Sequence, residues 1–154
     1  MRVLLSQAVH RAIEKHGEQT YPFECCGFLL GNADGEGREV SEIFQQENQK
    51  ESGQETRYLI RPEAYKAAES YAKEKGLELV GIYHSHPDHP SRPSQYDLEH
   101  AWPWYAYLIL AVHSGKAGSL DAWEMRDDRS AFDESELIIT EKAQQRDKGE
   151  ISDE

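Results

Sequence analysis

The chain has 154 residues, 30% of them charged and 38% hydrophobic, which is enough for one domain with its own core and a polar surface. Lys and Arg number 17 against 29 Asp and Glu, a net charge of −12, and no basic stripe runs along the sequence, which argues against a nucleic-acid partner. No apolar run approaches the ~18 residues needed to cross a bilayer, and no basic-then-apolar start marks a secretory signal, so the expected compartment is cytoplasmic.

Taken in order, Leu4, Ala8, Val9, Ala12 and Ile13 recur at helical spacing and predict an amphipathic helix over Leu4–Lys15, with Ser6 as its candidate cap and Gly17 as its end. Tyr21-Pro22 leads into a strand, Cys25–Leu30, apolar on both faces and therefore central. Glu24 sits at the mouth of that strand, where an ordinary solvated carboxylate is the plain reading. Cys25 and Cys26 are the only cysteines; neighbours rarely pair, which fits a reducing compartment. As small thiols in a Phe-Leu-Leu strand they read as packing, with a nucleophilic Cys served by a His as the rival.

Asn32–Gly37 reads as a turn and Glu39–Gln46 as a second strand, antiparallel to the first. The acids from Asp34 to Glu55 cluster here and read as a solvated edge strand and loop rather than a docking surface. Glu47–Thr56 has no periodicity and is expected to be a mobile polar loop, and Tyr58–Ile60 a short strand. Pro62 opens a helix to Lys75, closed by Gly76.

Leu77–His86 is a strand on which His84 and His86, two residues apart, project from the same face. Such a pair suits a metal ion, although a His-x-His on an exposed face is often plain polar surface. The loop Pro87–Pro93 contains three prolines that stiffen it, and His89 within it reads as exposed. A helix is expected from Ser94 to about His100. Ser94-x-x-Asp97 is a capping box by pattern, and it also turns a carboxylate back toward the histidines. His84, His86 and Asp97 would leave one tetrahedral position open, as in a catalytic zinc site. Tyr105–His113, Leu120–Met125 and Glu136–Thr140 read as further strands. His113 falls at a strand end without a chemical role, and Trp102, Trp104 and Trp123 read as core or rim. Residues 141–154 carry no apolar stripe and are expected to be a disordered polar tail on a single domain, 1–140. This order gives a mixed sheet flanked by helices, α/β or α+β.

The combination His84-x-His86-Pro87, then Ser94 and Asp97, with Pro22-Phe23-Glu24-Cys25-Cys26-Gly27-Phe28-Leu29-Leu30-Gly31 upstream, resembles the JAMM (MPN+) zinc metallopeptidases, in particular their prokaryotic stand-alone branch. The upstream segment looks like that branch's P-x-E-x-C-G-x-L-x-G, and the likeness runs from about Leu4 to about Ile139 with every motif position filled. It implies a curved, largely antiparallel sheet between helices, of cytidine-deaminase-like JAMM/MPN architecture. It implies one Zn2+ per chain on His84, His86 and Asp97, Glu24 as the base that moves a proton to the leaving amine, and Ser94 as the oxyanion donor. The implied reaction is hydrolysis of a peptide or isopeptide bond after the C-terminal Gly-Gly of a ubiquitin-like or sulfur-carrier protein, whose extended tail could add to a sheet edge beside the metal. The rivals are a non-catalytic MPN-type binding module, a thiol hydrolase using Cys25 or Cys26, and a zinc nucleoside deaminase. The last needs His-x-Glu and Pro-Cys-x-x-Cys, which the sequence lacks.

Overall fold

Arg2–Ser6 (β1) opens the fold as a strand, where helical spacing from Leu4 onward predicts helix. The structure, a computed structural model, describes residues 1–141, so the expected disorder of the tail beyond Glu141 lies outside the described residues. After β1 come α1 (Gln7–Thr20), β2 (Cys26–Asp34), β3 (Gly37–Gln46), α2 (Pro62–Glu74), β4 (Glu78–Pro87), α3 (Gln95–His100), β5 (Ala106–His113), β6 (Lys116–Met125) and β7 (Phe132–Thr140). The strands lie in the order β1-β3-β2-β4-β5-β6-β7, and β7 returns to β1 to close the sheet. β1–β3, β1–β7 and β4–β5 are parallel; the remaining pairs are antiparallel, including the β2–β3 hairpin.

The mixed sheet with helices on its faces is present, and its curvature goes on to closure. β5 pairs β4 from Gly81 to Pro87, whereas the β2 register runs only as far as His84 and leaves His86 without a β2 partner.

Ser6 does cap α1: its hydroxyl accepts from Val9 N at 3.2 Å. The helix runs through Gly17 to Thr20, because Gly17 is a packing position rather than a stop. A Cβ there would stand 2.6 Å from a methyl of Leu110. Val9 and Ile13 of α1 bury against Leu5, Leu29, Leu108 and Leu110 on one face of the sheet. On the other face, the small side chains of Ala68 and Ala72 bring α2 close to Phe28, Leu30, Ile82 and Tyr107. Pro62 begins α2, and Gly76, at φ +72°, follows it in a left-handed conformation that favours glycine. Among the described residues no helix is long and apolar enough to cross a membrane.

The segment 47–61 is neither a strand at Tyr58–Ile60 nor loosely held. Asn48 fastens it, donating to the carbonyls of Glu24 (3.2 Å) and Arg57 (3.0 Å) and accepting from Lys50 N (3.0 Å) and Leu59 N (3.1 Å). Asn48 thus replaces ladder bonds with side-chain bonds, which a periodicity reading does not register.

Gly31 marks a bulge in the β2–β3 pairing, and a Cβ on it would run into the Glu39 carbonyl. Backbone cannot move aside as a side-chain tip can. Gly31→Ala is therefore expected to destabilise the fold by about 2 kcal/mol or more, read as a lowered denaturant midpoint at unchanged slope.

Candidate metal centre and active site

The antiparallel register of β2 and β4 pairs Cys26 with His84. Cys25 continues that contact: its carbonyl accepts from Ser85 N at 3.2 Å and its N–H donates to Ser85 Oγ at 2.9 Å. Glu24 immediately precedes that contact in the chain. The backbone of Glu24 is held on both sides, donating to Gln54 O at 2.7 Å and accepting from Asn48 Nδ2 at 3.2 Å. Its side chain is only 3% exposed and faces a cavity of about 340 Å³ that His86 and Ser94 also line.

His84 and His86 share a face of β4, as the two-residue spacing requires, and Asp97 reaches them from the first turn of α3. The two Nε2 atoms are 3.1 Å apart; Asp97 Oδ2 is 3.1 Å from His86 Nε2, and Oδ1 is 3.2 Å from His84 Nε2. All three residues are buried. Ligands held 2.0–2.1 Å from one zinc ion at tetrahedral angles stand about 3.3 Å from each other, so the three donors nearly match such a set without rearrangement.

Protonation suits a cation as well. The Nδ1 of His86 lies 2.8 Å from Pro90 O, a contact that requires the proton on Nδ1 and leaves Nε2 with a lone pair. Burial holds His84 below the ordinary imidazole range, hence neutral. Its Nδ1 has no partner among the described residues; the ring is fixed by stacking on Tyr58, with centroids 4.5 Å apart. For Asp97, burial pushes the carboxyl upward, but the adjoining His84 and His86 rings outweigh it and hold the carboxyl well below its ordinary range, so it stays ionised.

The capping box and the ligand reading are one arrangement. Ser94 Oγ accepts from Asp97 N at 3.1 Å, and Asp97 Oδ2 accepts from Ser94 N at 2.8 Å. That serine oxygen keeps its own proton free to donate into the cavity. Glu24 is the electrostatic opposite of Asp97. Burial, and then repulsion from Asp97, raise its carboxyl from 4.5 to about 9, and no described residue donates a hydrogen bond to it.

Other expectations sort as follows. His89 is exposed on the rim of the same cavity, and His113 is exposed at the end of β5. Cys25 and Cys26 are buried and unpaired; burial pushes the Cys25 thiol up to about 12 and Cys26 upward too, so neither is a ready thiolate. That removes the thiol-hydrolase reading. Trp102 and Trp104 are 58% and 48% exposed and line a groove of about 900 Å³ together with Tyr58, Tyr65 and Tyr96. Trp104 has φ +88°, held by Arg38, whose guanidinium stacks on its ring at 4.4 Å and donates to its carbonyl at 2.8 Å. Tyr58 and Asn48 were not legible as site residues. Both lie in a segment without periodicity and act through stacking and backbone contacts.

The buried set of two imidazoles and a carboxylate is compatible with a metal site, and a second carboxylate and a hydroxyl line the cleft beside it. The family profile described as prokaryotic homologs of the JAB domain matches residues 6–126, and the chain belongs to that family, within the JAMM/MPN group. It is 30% identical over 116 residues to a desampylase of Pyrococcus furiosus, covering 75% of this chain and 76% of that one. A desampylase of Haloferax volcanii is 36% identical over 91 residues, covering 58% of this chain and 63% of the relative. A probable TtuB-protein conjugate cleaving protease of Thermus thermophilus is 37% identical over 62 residues, covering 40% and 42%. The matches thus span less than two thirds of the length of these last two relatives. Among solved structures, a protein of Desulfitobacterium hafniense superposes with TM-score 0.83 at 27% identity, over 97% of this chain and all of that one. A protein of Salinibacter ruber does so with TM-score 0.69 at 39% identity, over 90% and 91%. A JAB1/MPN domain protein of Archaeoglobus fulgidus, at 18% identity and TM-score 0.56 over 92% and 100%, shares the fold.

Two outcomes follow. Asp97→Asn keeps an oxygen for the Ser94 N–H but removes the anionic ligand, so divalent-metal affinity should fall by orders of magnitude with little loss of helicity, as measured by competition with a chelating dye and by circular dichroism. For Glu24 the folded value near 9 lies above the unfolded 4.5, so its contribution to stability is present below about pH 4.5 and is lost as pH rises toward 9. Glu24→Gln should therefore raise the thermal midpoint of the metal-free protein at pH 8, and much less at pH 5.

Proposed function

We propose that the protein is a zinc-dependent hydrolase cleaving the amide bond that joins the C-terminal Gly-Gly tail of a ubiquitin-like or sulfur-carrier protein to an amine. The observation that carries this reading is the burial of Glu24, its carboxyl without a hydrogen bond, in a cleft lined also by His86, one of the three clustered donors, and close enough to Asp97 to feel its charge. The names of the relatives in P. furiosus, H. volcanii and T. thermophilus support the substrate class.

Two imidazoles and one carboxylate suit zinc, which would supply Lewis acidity that polarises an amide carbonyl and makes water acidic near neutral pH. Glu24 would receive the proton given up by the attacking water and deliver it to the departing amine nitrogen. A raised proton affinity suits the uptake of that proton, which a carboxylate with an ordinary value would hold poorly, and a cation on His84, His86 and Asp97 would favour the ionised Glu24 that takes it up. The Ser94 hydroxyl, oriented by the amide of Asp97, would donate to the oxygen on which negative charge develops. His86, tied to Pro90, and Asp97, tied to Ser94, cannot swing away during the reaction.

The tail would lie in the cleft lined by Thr56, Pro90 and Pro93, beside the end of β4 that the β2 register leaves unpaired. The aromatic groove of Tyr58, Tyr96, Trp102 and Trp104 begins at the ring that stacks on His84 and would receive apolar surface of the carrier's folded body.

The test is to incubate the protein with a Gly-Gly-ending carrier extended by an amine-linked peptide and to weigh the products. With zinc, the carrier ending in Gly-Gly should appear; excess chelator should abolish it. Glu24→Gln should retain zinc and lose at least 100-fold in kcat. Full activity in Glu24→Gln, or chelator-resistant cleavage, would overturn the assignment.

A further inference from the structure

Arg92 lines the cavity that holds Glu24, His86 and Ser94, and it is the only Lys or Arg among the lining residues. It is exposed, and no described residue forms a hydrogen bond, ion pair or ring contact with it. Several other guanidinium groups are engaged. Arg126 forks onto Asp133, Arg2 pairs with Glu136, and Arg38, Arg57 and Arg129 lie over aromatic rings.

Its backbone is not free. Ser91, just before it, is buried and hydrogen-bonded through its hydroxyl to Ser119 and Asp121, while its carbonyl accepts from Trp123 Nε1 at 2.9 Å. Pro90 holds His86, and Pro93 fixes φ on the other side. The loop therefore presents Arg92 from a rigid base, next to the hydroxyl of Ser94.

We propose that Arg92 anchors a carboxylate-binding subsite on the leaving-group side of the cleft, a proposal that rests on the hydrolase reading above. The guanidinium fork matches a carboxylate in two parallel hydrogen bonds. The ionised Asp97 would repel a substrate anion in this cleft, and Arg92 offsets that repulsion. The tail on the acyl side ends in glycines and brings no ionisable side chain, so a carboxylate close to the scissile amide belongs to the leaving amine. It comes either from the α-carboxylate of an amino acid linked through its α-amine or from an acidic side chain beside the linked amine.

The experiment uses the zinc-loaded protein and three forms of one Gly-Gly-ending carrier, extended by Ala with a free carboxylate, by Ala-amide, and by Ala-Asp-amide. Wild type should cleave at least one of the two carboxylate-bearing forms with kcat/KM about tenfold or more above Ala-amide, and which form gains identifies the source of the carboxylate. Arg92→Ala should bring the ratio close to one, Arg92→Lys should keep part of it, and 0.5 M salt should shrink it in wild type. Equal rates on all three forms in wild type, or a uniform slowing of all three in Arg92→Ala, would overturn the subsite and leave the hydrolase reading standing. No cleavage of any form by zinc-loaded wild type would overturn both.

Discussion

Everything at this site depends on the register between β2 and β4. Pairing Cys26 with His84 brings Glu24, two residues before Cys26, across some sixty residues of sequence to the cavity that His86 lines, and a slip of one residue would turn the histidines to the other face of the sheet. The register is locked locally by the Cys25–Ser85 contacts and by Gly27, whose missing side chain leaves space for the Tyr83 ring. Because β4 is gripped by β2 on one side and β5 on the other, its metal-facing side chains stand on one of the most constrained strands of the molecule.

That rigidity sustains an electrostatic contrast. Two carboxylates, Glu24 and Asp97, are buried in one region and driven in opposite directions. Asp97 keeps its charge because two imidazoles and a backbone N–H surround it; Glu24, without hydrogen bonds and facing Asp97, holds its proton to about pH 9. A charge stabiliser and a proton carrier can thus come from the same side-chain type. The arrangement works against stability, since an unpaired buried carboxyl resists ionisation, and such opposition is common where proteins place chemistry.

Much of this was legible in the sequence because it is local. The two-residue spacing of His84 and His86, the Ser94–Asp97 box and the Pro62–Gly76 bounds of a helix each follow from neighbours in the chain. β1 was not legible: its partners, Gly37–Val40 and Glu136–Thr140, are remote, and Leu4 with Ala8 imitates helical spacing across the boundary at Ser6. Closure of the sheet depends on that strand and was missed with it. Asn48 and Tyr58 escaped for a related reason. One holds the backbone of Glu24 and the other stacks on His84, and neither role leaves a periodic trace.

The most direct test is anomalous diffraction at the zinc absorption edge from crystals grown with stoichiometric zinc. A single strong peak bonded to the Nε2 atoms of His84 and His86 and to a carboxylate oxygen of Asp97, at about 2.0–2.2 Å and with the Glu24 carboxyl in the same cleft, is the expected result. Zinc bound elsewhere, or this site left vacant while Glu24 points out to solvent, would refute the convergence on which the proposed chemistry stands.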